Sequence, residues 1–368
     1  MLRSAHVASL ALVLLAACSS SDPPTPSDGG TSGAVTPTNA AWCAEPAPAG
    51  CGAVAVCGVC VPKPQNDLKR TSDAKEYTGT GAVDVSCFSS TPTPAGTSKN
   101  VKMKGWVKIF ANGPDSKNVK VEIFEEERDA TGKPTGKLGK LVGAGNSVDT
   151  APACADPPVH PCTLKETRTK GGTTSERLLY PFEIAAVPTE VPLIARTTGT
   201  TDEAGWFPLY DYNVVARNDK LNPAGEFEFN VRALGNDDYA SILKAAYNQP
   251  PQGGESAIAG EVHDCGDVRL SAATVGVAPT AGSTKPRYPL FYLSEVEDGP
   301  LPDSARTSTG KLGLYAIGGA KPGVYSVSSA GKIGADFVTL GSYKVQTFAD
   351  SVTVYTFRGI RPWQVATK

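Results

Sequence analysis

Histidine and methionine are scarce in this chain, and several functional signatures are missing. The 368 residues include three His and two Met, so a histidine-based metal site would be short of ligands. The formal net charge of −2 gives no reason to expect a nucleic-acid partner. The sequence contains no His-Glu-x-x-His pair, no Gly-x-Ser-x-Gly elbow and no Gly-rich phosphate loop. We therefore expect no catalytic residue, no cofactor and no metal, and we favour a protein that is not an enzyme.

Glycine and proline are abundant, and they favour short strands and many turns. The chain has 38 Gly and 30 Pro, and its length is sufficient for two ordinary domains. Residues 226–233 alternate between apolar and polar side chains, the pattern of a strand with one buried face and one wet face. The apolar members are Phe227, Phe229, Val231 and Ala233, and the polar members are Glu226, Glu228, Asn230 and Arg232. Composition and pattern together predict an all-β protein.

The first residues indicate export. Arg3 precedes a short apolar run over residues 7–17, which is too short to span a membrane and ends in small residues before Cys18. This resembles the lipobox of bacterial lipoproteins, which implies a signal peptide over 1–17 and acyl chains, palmitate among them, on Cys18. The alternative is an ordinary secretory signal with an unrelated Cys. In lipoproteins, a Ser after the acylated Cys, as at Ser19 here, implies sorting to the outer membrane. The protein would then face the periplasm or the cell surface, and its lipid would make the membrane its partner.

Residues 18–41 are rich in Ser, Pro, Thr and Gly, which predicts a disordered tether. Eight further Cys form an even set in an exported chain, so we expect disulfides. Four of them fall in a Cys-rich segment over 42–64, where three pairings are open and where a redox motif or a zinc site are alternatives. The expected pairs are Cys43–Cys57, Cys51–Cys60, Cys154–Cys162 and, by subtraction, Cys87–Cys265.

The remaining chain divides into two predicted β-sandwiches. Residues 65–100 are expected to be a linker with an edge strand near Val83 and Val85. The first sandwich covers 101–235 and includes a polar insertion over 125–170. A helical linker covers 236–255, with its helix over 236–247, and the second sandwich covers 256–368. Asn236 or Asp237 is expected to cap the helix.

The two halves share an order of short signals, which indicates an internal repeat. The matched signals are Gly105 with Gly260, Val119-x-Val121 with Val275-x-Val277, Ala195-Arg-Thr197 with Ala305-Arg-Thr307, Gly205 with Gly313, and Gly225-x-Phe227 with Gly323-x-Tyr325. The stretch from Thr201 to Phe207 resembles the carboxypeptidase regulatory-like domain, a transthyretin-like Greek-key sandwich. That resemblance implies an accessory module that folds, spaces or binds. The second copy lacks the Asp of this motif.

Three groups of side chains are candidates for binding. Trp206, Tyr210 and Tyr212 either form a sugar-binding surface or pack in the core. A sugar-binding surface would make the protein a carbohydrate-binding accessory or an enzyme, which is the alternative function. The possible partners are a glycan or an envelope protein. His263, Asp264 and Asp267 are either metal ligands or an ordinary turn. The third group, Glu295, Glu297, Asp298 and Asp303, could hold Ca²⁺ or form a solvated turn.

Overall fold

The structure is a computed structural model that describes residues 35, 37–38, 48–88, 94–111, 113–170 and 173–359. The predicted signal peptide, Cys18 and Cys43 lie outside these residues. Among the helices in the described part of the chain, none has the length and apolar character needed to cross a bilayer.

The described residues form an all-β fold, as the sequence predicts, with one α-helix. The strands before the helix are β1 Val54–Val56, β2 Val59–Val61, β3 Lys69–Arg70, β4 Asn100–Ile109, β5 Val119–Arg128, β6 Pro134–Asn146, β7 Leu164–Lys170, β8 Thr173–Leu179, β9 Pro181–Pro188, β10 Leu193–Gly199, β11 Trp206–Phe207, β12 Leu209–Val214, β13 Phe227–Glu228 and β14 Val231–Gly235. Short 3-10 turns occupy Ser86–Phe88, Asp202–Ala204 and Asn218–Lys220.

The helix α1 spans Asn236–Tyr247, which is the predicted helix. Its N-cap is Gly235 with no side-chain cap hydrogen bond, so the predicted cap at Asn236 or Asp237 is wrong. The strands after the helix are β15 Ser256–Glu261, β16 Leu270–Ser271, β17 Thr274–Pro279, β18 Phe291–Tyr292, β19 Leu314–Ala320, β20 Gly323–Ile333, β21 Asp336–Thr347 and β22 Ser351–Tyr355.

Each half packs one sheet against another. In the first half, a sheet containing β11, β14, β4, β13 and β9 faces β12, β10, β5 and β6 across a core that includes Met103, Ile123 and Phe182. In the second half, β17, β20 and β21 face β22, β15, β19 and β18 across a core that includes Tyr315 and Tyr325. Both halves are therefore β-sandwich-like.

The two halves are joined by more than the predicted helical linker. Strand β12 of the first half pairs in parallel with β22 of the second, with Leu209 opposite Val352 and Tyr212 opposite Tyr355. This pairing merges one sheet from each half into a single eight-stranded sheet. Ile194, on β10, also lies in the same buried cluster as residues of the second half. The described chain is thus one body with a shared sheet.

Strand pairing supports an internal repeat and corrects part of its alignment. In each half the first strand pairs in parallel with the last, β4 with β14 and β15 with β22. The order of antiparallel pairs is also the same: β10 with β5 and β12 matches β20 with β17 and β21. The matches at Gly105 with Gly260 and at β5 with β17 therefore hold. The three later matches are out of register. Ala195 lies in β10, whereas Ala305 lies outside every strand. Gly313 precedes β19, which corresponds to β9 because each pairs with the first strand of its half, whereas Gly205 precedes β11.

Gly105 and Gly260 occupy equivalent close contacts in the two halves. A Cβ on Gly105 would lie 2.0 Å from the carbonyl oxygen of Phe229, and a Cβ on Gly260 would lie 1.8 Å from that of Tyr355. Both distances are far below contact, so only glycine lets the first strand of each half approach the backbone of Phe229 or of Tyr355 this closely.

The predicted polar insertion over 125–170 is largely ordered. It contains the whole of β6, which pairs with β5 through several register shifts, and β7, which forms a hairpin with β8. A Cβ on Gly145 would lie 2.3 Å from the carbonyl oxygen of Glu183, so glycine lets β6 approach β9 across the edge of the sandwich. Glycine in this insertion thus permits close packing of strands.

The segment before β4 wraps both halves. Val35 and Thr38, expected in the disordered tether, bond to the fold: the amide of Thr38 donates to the carbonyl of Phe337 at 2.8 Å. Val83 and Val85 do not form the expected edge strand, although both pack against the core of the second half. The structure contains the expected disulfides Cys51–Cys60, Cys87–Cys265 and Cys154–Cys162. Cys57 is also disulfide-bonded.

Candidate functional site

The densest group of buried ionisable side chains lies where the two halves meet. Arg232 belongs to β14 of the first half, and Glu261 ends β15 of the second. A β-bridge between His263 and Arg269 closes the turn that follows Glu261. We call Arg232, Glu261, His263, Asp267, Arg269 and Arg358 the junction network.

The carboxylate of Glu261 is the centre of the junction network. Its side chain is 1% exposed. One oxygen accepts from Arg232. The other lies 2.8 Å from Nε2 of His263 and 3.0 Å from Nε of Arg269. One buried carboxylate therefore joins side chains of both halves through charge-assisted hydrogen bonds, which are the stronger kind.

Asp267 and Tyr77 complete the network on the other side of His263. Nδ1 of His263 lies 2.7 Å from Oδ1 of Asp267, and Nε of Arg358 lies 3.0 Å from the same oxygen. The ring of Tyr77 covers these groups, with its centroid 4.9 Å from the His263 ring. The guanidinium groups of Arg269 and Arg358 lie 5.4 Å and 5.2 Å from the Tyr77 ring. The N-terminal segment thus contributes an aromatic face to which cations are attracted.

Burial and neighbouring charge act in opposite directions on these acids. Burial alone would raise the pKa of Glu261, but Arg232, His263 and Arg269 hold that pKa well below its usual range. Burial raises the pKa of Asp211, on β12 beside the network, to about 6. Glu261 is therefore ionised at neutral pH, and its charge is balanced inside the fold.

The arrangement is suited to holding the halves together. Both ring nitrogens of His263 lie within hydrogen-bond distance of carboxylate oxygens, so the ring is held between Glu261 and Asp267. Within the described contacts of His263, no Ser, Thr or Cys side chain is positioned as a nucleophile. The charges stabilise one another across the junction.

The structure separates the three residues considered as metal ligands. His263 and Asp267 contact each other, but the carboxylate of Asp264 binds Arg70 and accepts from the amide of Gly266 at 2.9 Å. In the part of the chain that the structure describes, no three His, Cys, Asp or Glu side chains are grouped as a metal site.

The acidic cluster considered for Ca²⁺ is neutralised by basic side chains. Each of its four carboxylates pairs with Lys or Arg. The pairs are Glu295–Arg306 at 3.0 Å, Glu297–Arg269 at 3.3 Å, Asp303–Arg306 at 3.1 Å, and Asp298–Lys75. These oxygens are engaged by cationic side chains of the same fold, which favours a structural turn over a Ca²⁺ site.

The aromatic residues considered as a sugar-binding surface are buried in two different cores. Trp206 and Tyr210 are 7% exposed and Tyr212 is 1% exposed. Trp206 lies in the core of the first half and donates from Nε1 to the carbonyl of Lys117 at 2.7 Å. Tyr212 lies in the core of the second half and donates to the carbonyl of Gly136 at 2.9 Å. These rings form no exposed platform, so core packing, one of the two alternatives, is the one that the structure supports for them.

Arg232 and Glu261 were not identified by the sequence pattern. Arg232 was assigned to the wet face of its strand, whereas the second half covers that face here. The sequence does contain one signal for the burial of Glu261. Ile258 and Val262 lie on one face of the strand, and Ala257 lies on the other face with Glu261, so both faces carry apolar residues. Apolar residues on both faces indicate a strand that is covered on both sides.

Comparison with known proteins gives no family. No family model matches the chain, and no curated protein matches it. A streptococcal ancillary pilin aligns over 70% of this chain and 68% of its own, with 8% identity and a TM-score of 0.20. The Bacillus anthracis TIE protein aligns over 71% of this chain with 9% identity and a TM-score of 0.17, and the alignment covers 34% of that protein. Similarity at this level carries no conclusion about function.

Proposed function

We propose that this protein is a non-catalytic, lipid-anchored envelope protein whose two sandwich-like halves form one rigid spacing or partner-binding body. One observation carries the proposal: the clustered ionisable side chains are used inside the fold. Glu261, the most buried carboxylate of the junction network, bonds to Arg232, His263 and Arg269. Such a network fixes the position of one half against the other and leaves no poised acid, base or nucleophile in it.

Two further features support an extracytoplasmic role. Disulfides persist in oxidising compartments, and three lie within the described residues. The Cys87–Cys265 bond ties the N-terminal segment to the turn of the junction network. The lipobox resemblance around Cys18 supplies the anchor, and the transthyretin-like resemblance supplies the expectation of an accessory module. Outer-membrane sorting is part of the same proposal, as is a protein partner in the envelope.

The carbohydrate-binding alternative loses its basis because its aromatic residues are buried. Trp206→Ala is therefore expected to destabilise the first half by removing a core side chain.

The anchoring part of the proposal is tested with Cys18→Ser and a matched Cys154→Ser/Cys162→Ser control expressed in a lipoprotein-processing bacterium. We expect palmitate labelling and membrane fractionation of the wild type and of the control, and loss of both in Cys18→Ser. A Cys18→Ser protein that is still acylated and still sediments with membranes would contradict the proposal.

The non-catalytic part is tested separately by screening the purified protein against ester, peptide, glycoside and phosphate substrates. We expect no turnover above the level of a heat-unfolded sample. Turnover that survives repeated purification would overturn this part.

A further inference from the structure

A partly enclosed apolar cavity of about 70 Å³ lies between α1 and the outer face of the eight-stranded sheet. Tyr239, Ile242 and Leu243 of α1 form one wall. Leu209, Val352 and Val354 contribute to the sheet wall opposite. The cavity separates two small apolar clusters, one under the helix and one around Leu293 and Leu314.

Small side chains on two adjacent strands create the space. Ala257 and Ala259 of β15 and Ala316 of β19 line the cavity. Larger aliphatic residues at these positions would occupy the space between helix and sheet. Atoms that line an unfilled apolar space lose dispersion contacts, so a ligand that restores those contacts is favoured.

The chemistry of the lining selects an uncharged ligand. Arg232 is the one ionised side chain among the lining residues, and it is already paired with Glu261. The hydroxyl of Tyr315, another lining residue, donates to the carbonyl of Tyr355 at 2.6 Å. An ionised ligand would lose hydration without gaining an unused partner of opposite charge, which is costly.

The size and the rim of the cavity limit the ligand further. Since one water needs about 10–15 Å³ of such space, the cavity has room for roughly five waters, or for one small ring. Ile242 of α1, Phe110 and Phe291 line it and are only partly buried. These three side chains mark an opening to solvent.

We propose that this cavity binds a small uncharged hydrocarbon group, of the size of a benzene ring or a branched alkyl group, against Ala257, Ala259 and Ala316. The occupant is a free small molecule, because the partly enclosed cavity is lined mainly by apolar side chains and presents no groove to a peptide backbone. This inference goes beyond the proposed function, because neither anchoring nor the absence of catalysis requires an occupied cavity.

The test is a titration of the mature protein, labelled with ¹³C at alanine methyl groups, with benzene and with benzoate. We expect saturable shifts at Ala257, Ala259 and Ala316 with benzene, none with benzoate, and none at Ala240 on the exposed face of α1. The absence of a saturable shift at the three cavity methyl groups, or equal binding of benzoate, would overturn the proposal.

A filling variant provides the second arm. Ala257→Val adds methyl groups inside the cavity. Ala240→Val is the matched control, because it adds them on the exposed face of α1. We expect at least a tenfold loss of benzene affinity in the first and none in the second, as is usual when a pocket loses space for a methylene. Ala316→Val repeats the test from the neighbouring strand if Ala257→Val fails to fold. Unchanged affinity in folded filling variants would also refute the site.

Discussion

Removal of the charge of Glu261 is the perturbation to which the junction should be most sensitive. Glu261→Gln keeps the shape of the side chain and deletes the negative charge shared by Arg232, Arg269 and His263. Asp267 can still accept from His263, but the two arginines at the centre lose their common carboxylate. The variant therefore isolates the electrostatic contribution of one buried group.

The expected effect is large because the charge is buried. Removing one partner of a buried ion pair costs roughly 3–5 kcal/mol, mainly because the remaining charge is left without compensation. The Glu261 side chain is 1% exposed and that of Arg269 is 9% exposed, so water cannot readily replace the lost contacts. We expect the free energy of unfolding of Glu261→Gln to fall by about 3 kcal/mol or more.

The assay is equilibrium unfolding in urea at neutral pH, followed by tryptophan fluorescence and by circular dichroism. Glu176→Gln is the matched control: Glu176 pairs with Lys165 at 3.4 Å, and their side chains are 59% and 64% exposed. An exposed pair contributes at most about 1 kcal/mol. Equal destabilisation of the two variants would refute the structural role assigned to the junction network.

Three further predictions concern other parts of the fold. Burial raises the pKa of Glu126 to about 8, although the hydrogen bonds that its carboxylate accepts act in the opposite direction. The folded protein therefore keeps a proton on Glu126 that the unfolded chain releases near pH 4.5. The contribution of this proton to stability should be complete below pH 4.5 and lost as pH rises to about 8. Glu126→Gln should then gain stability relative to wild type with rising pH in thermal melts, and parallel profiles would oppose this. Replacing Cys87 and Cys265 by Ala should cost roughly 5 kcal/mol in denaturant, because their bond closes a loop with a sequence separation of 178; a loss no larger than that on removing the local disulfide of the 154–162 loop would contradict the estimate. Gly260→Ala should prevent folding in circular dichroism, while Gly253→Ala, with open space around its Cβ, should fold normally; a folded Gly260→Ala would show the strand contact to be looser than described.

Local patterns predicted the elements well. The alternation around Phe227 and Val231 places the buried residues of β13 and β14, and the helix predicted over 236–247 is α1 with the observed bounds. The expected disulfide Cys154–Cys162 is also local, with a sequence separation of 8. In each case the signal lies within a short stretch, where periodicity and spacing carry the information.

The arrangement of the halves could not be read in the same way. Pairing of β12 with β22 joins residues more than a hundred positions apart, and neither strand carries a local mark of its partner. Arg232 looks like a solvent-facing residue until the second half covers it, so its place in the junction network could not be predicted from the alternation of its strand. The later repeat matches failed because Gly followed by an aromatic residue recurs at many turns, whereas the hydrogen-bond pairing of β10 and β20 identifies the equivalent strands.

The central claim is that the shared sheet and the junction network make the two halves one cooperative body. Hydrogen exchange in rising denaturant, read by mass spectrometry, tests it directly on the mature protein. The account predicts that amides of β5 and β10 in the first half and of β17 and β20 in the second lose protection at one common denaturant concentration. Loss of protection in one half while the other remains protected would contradict it.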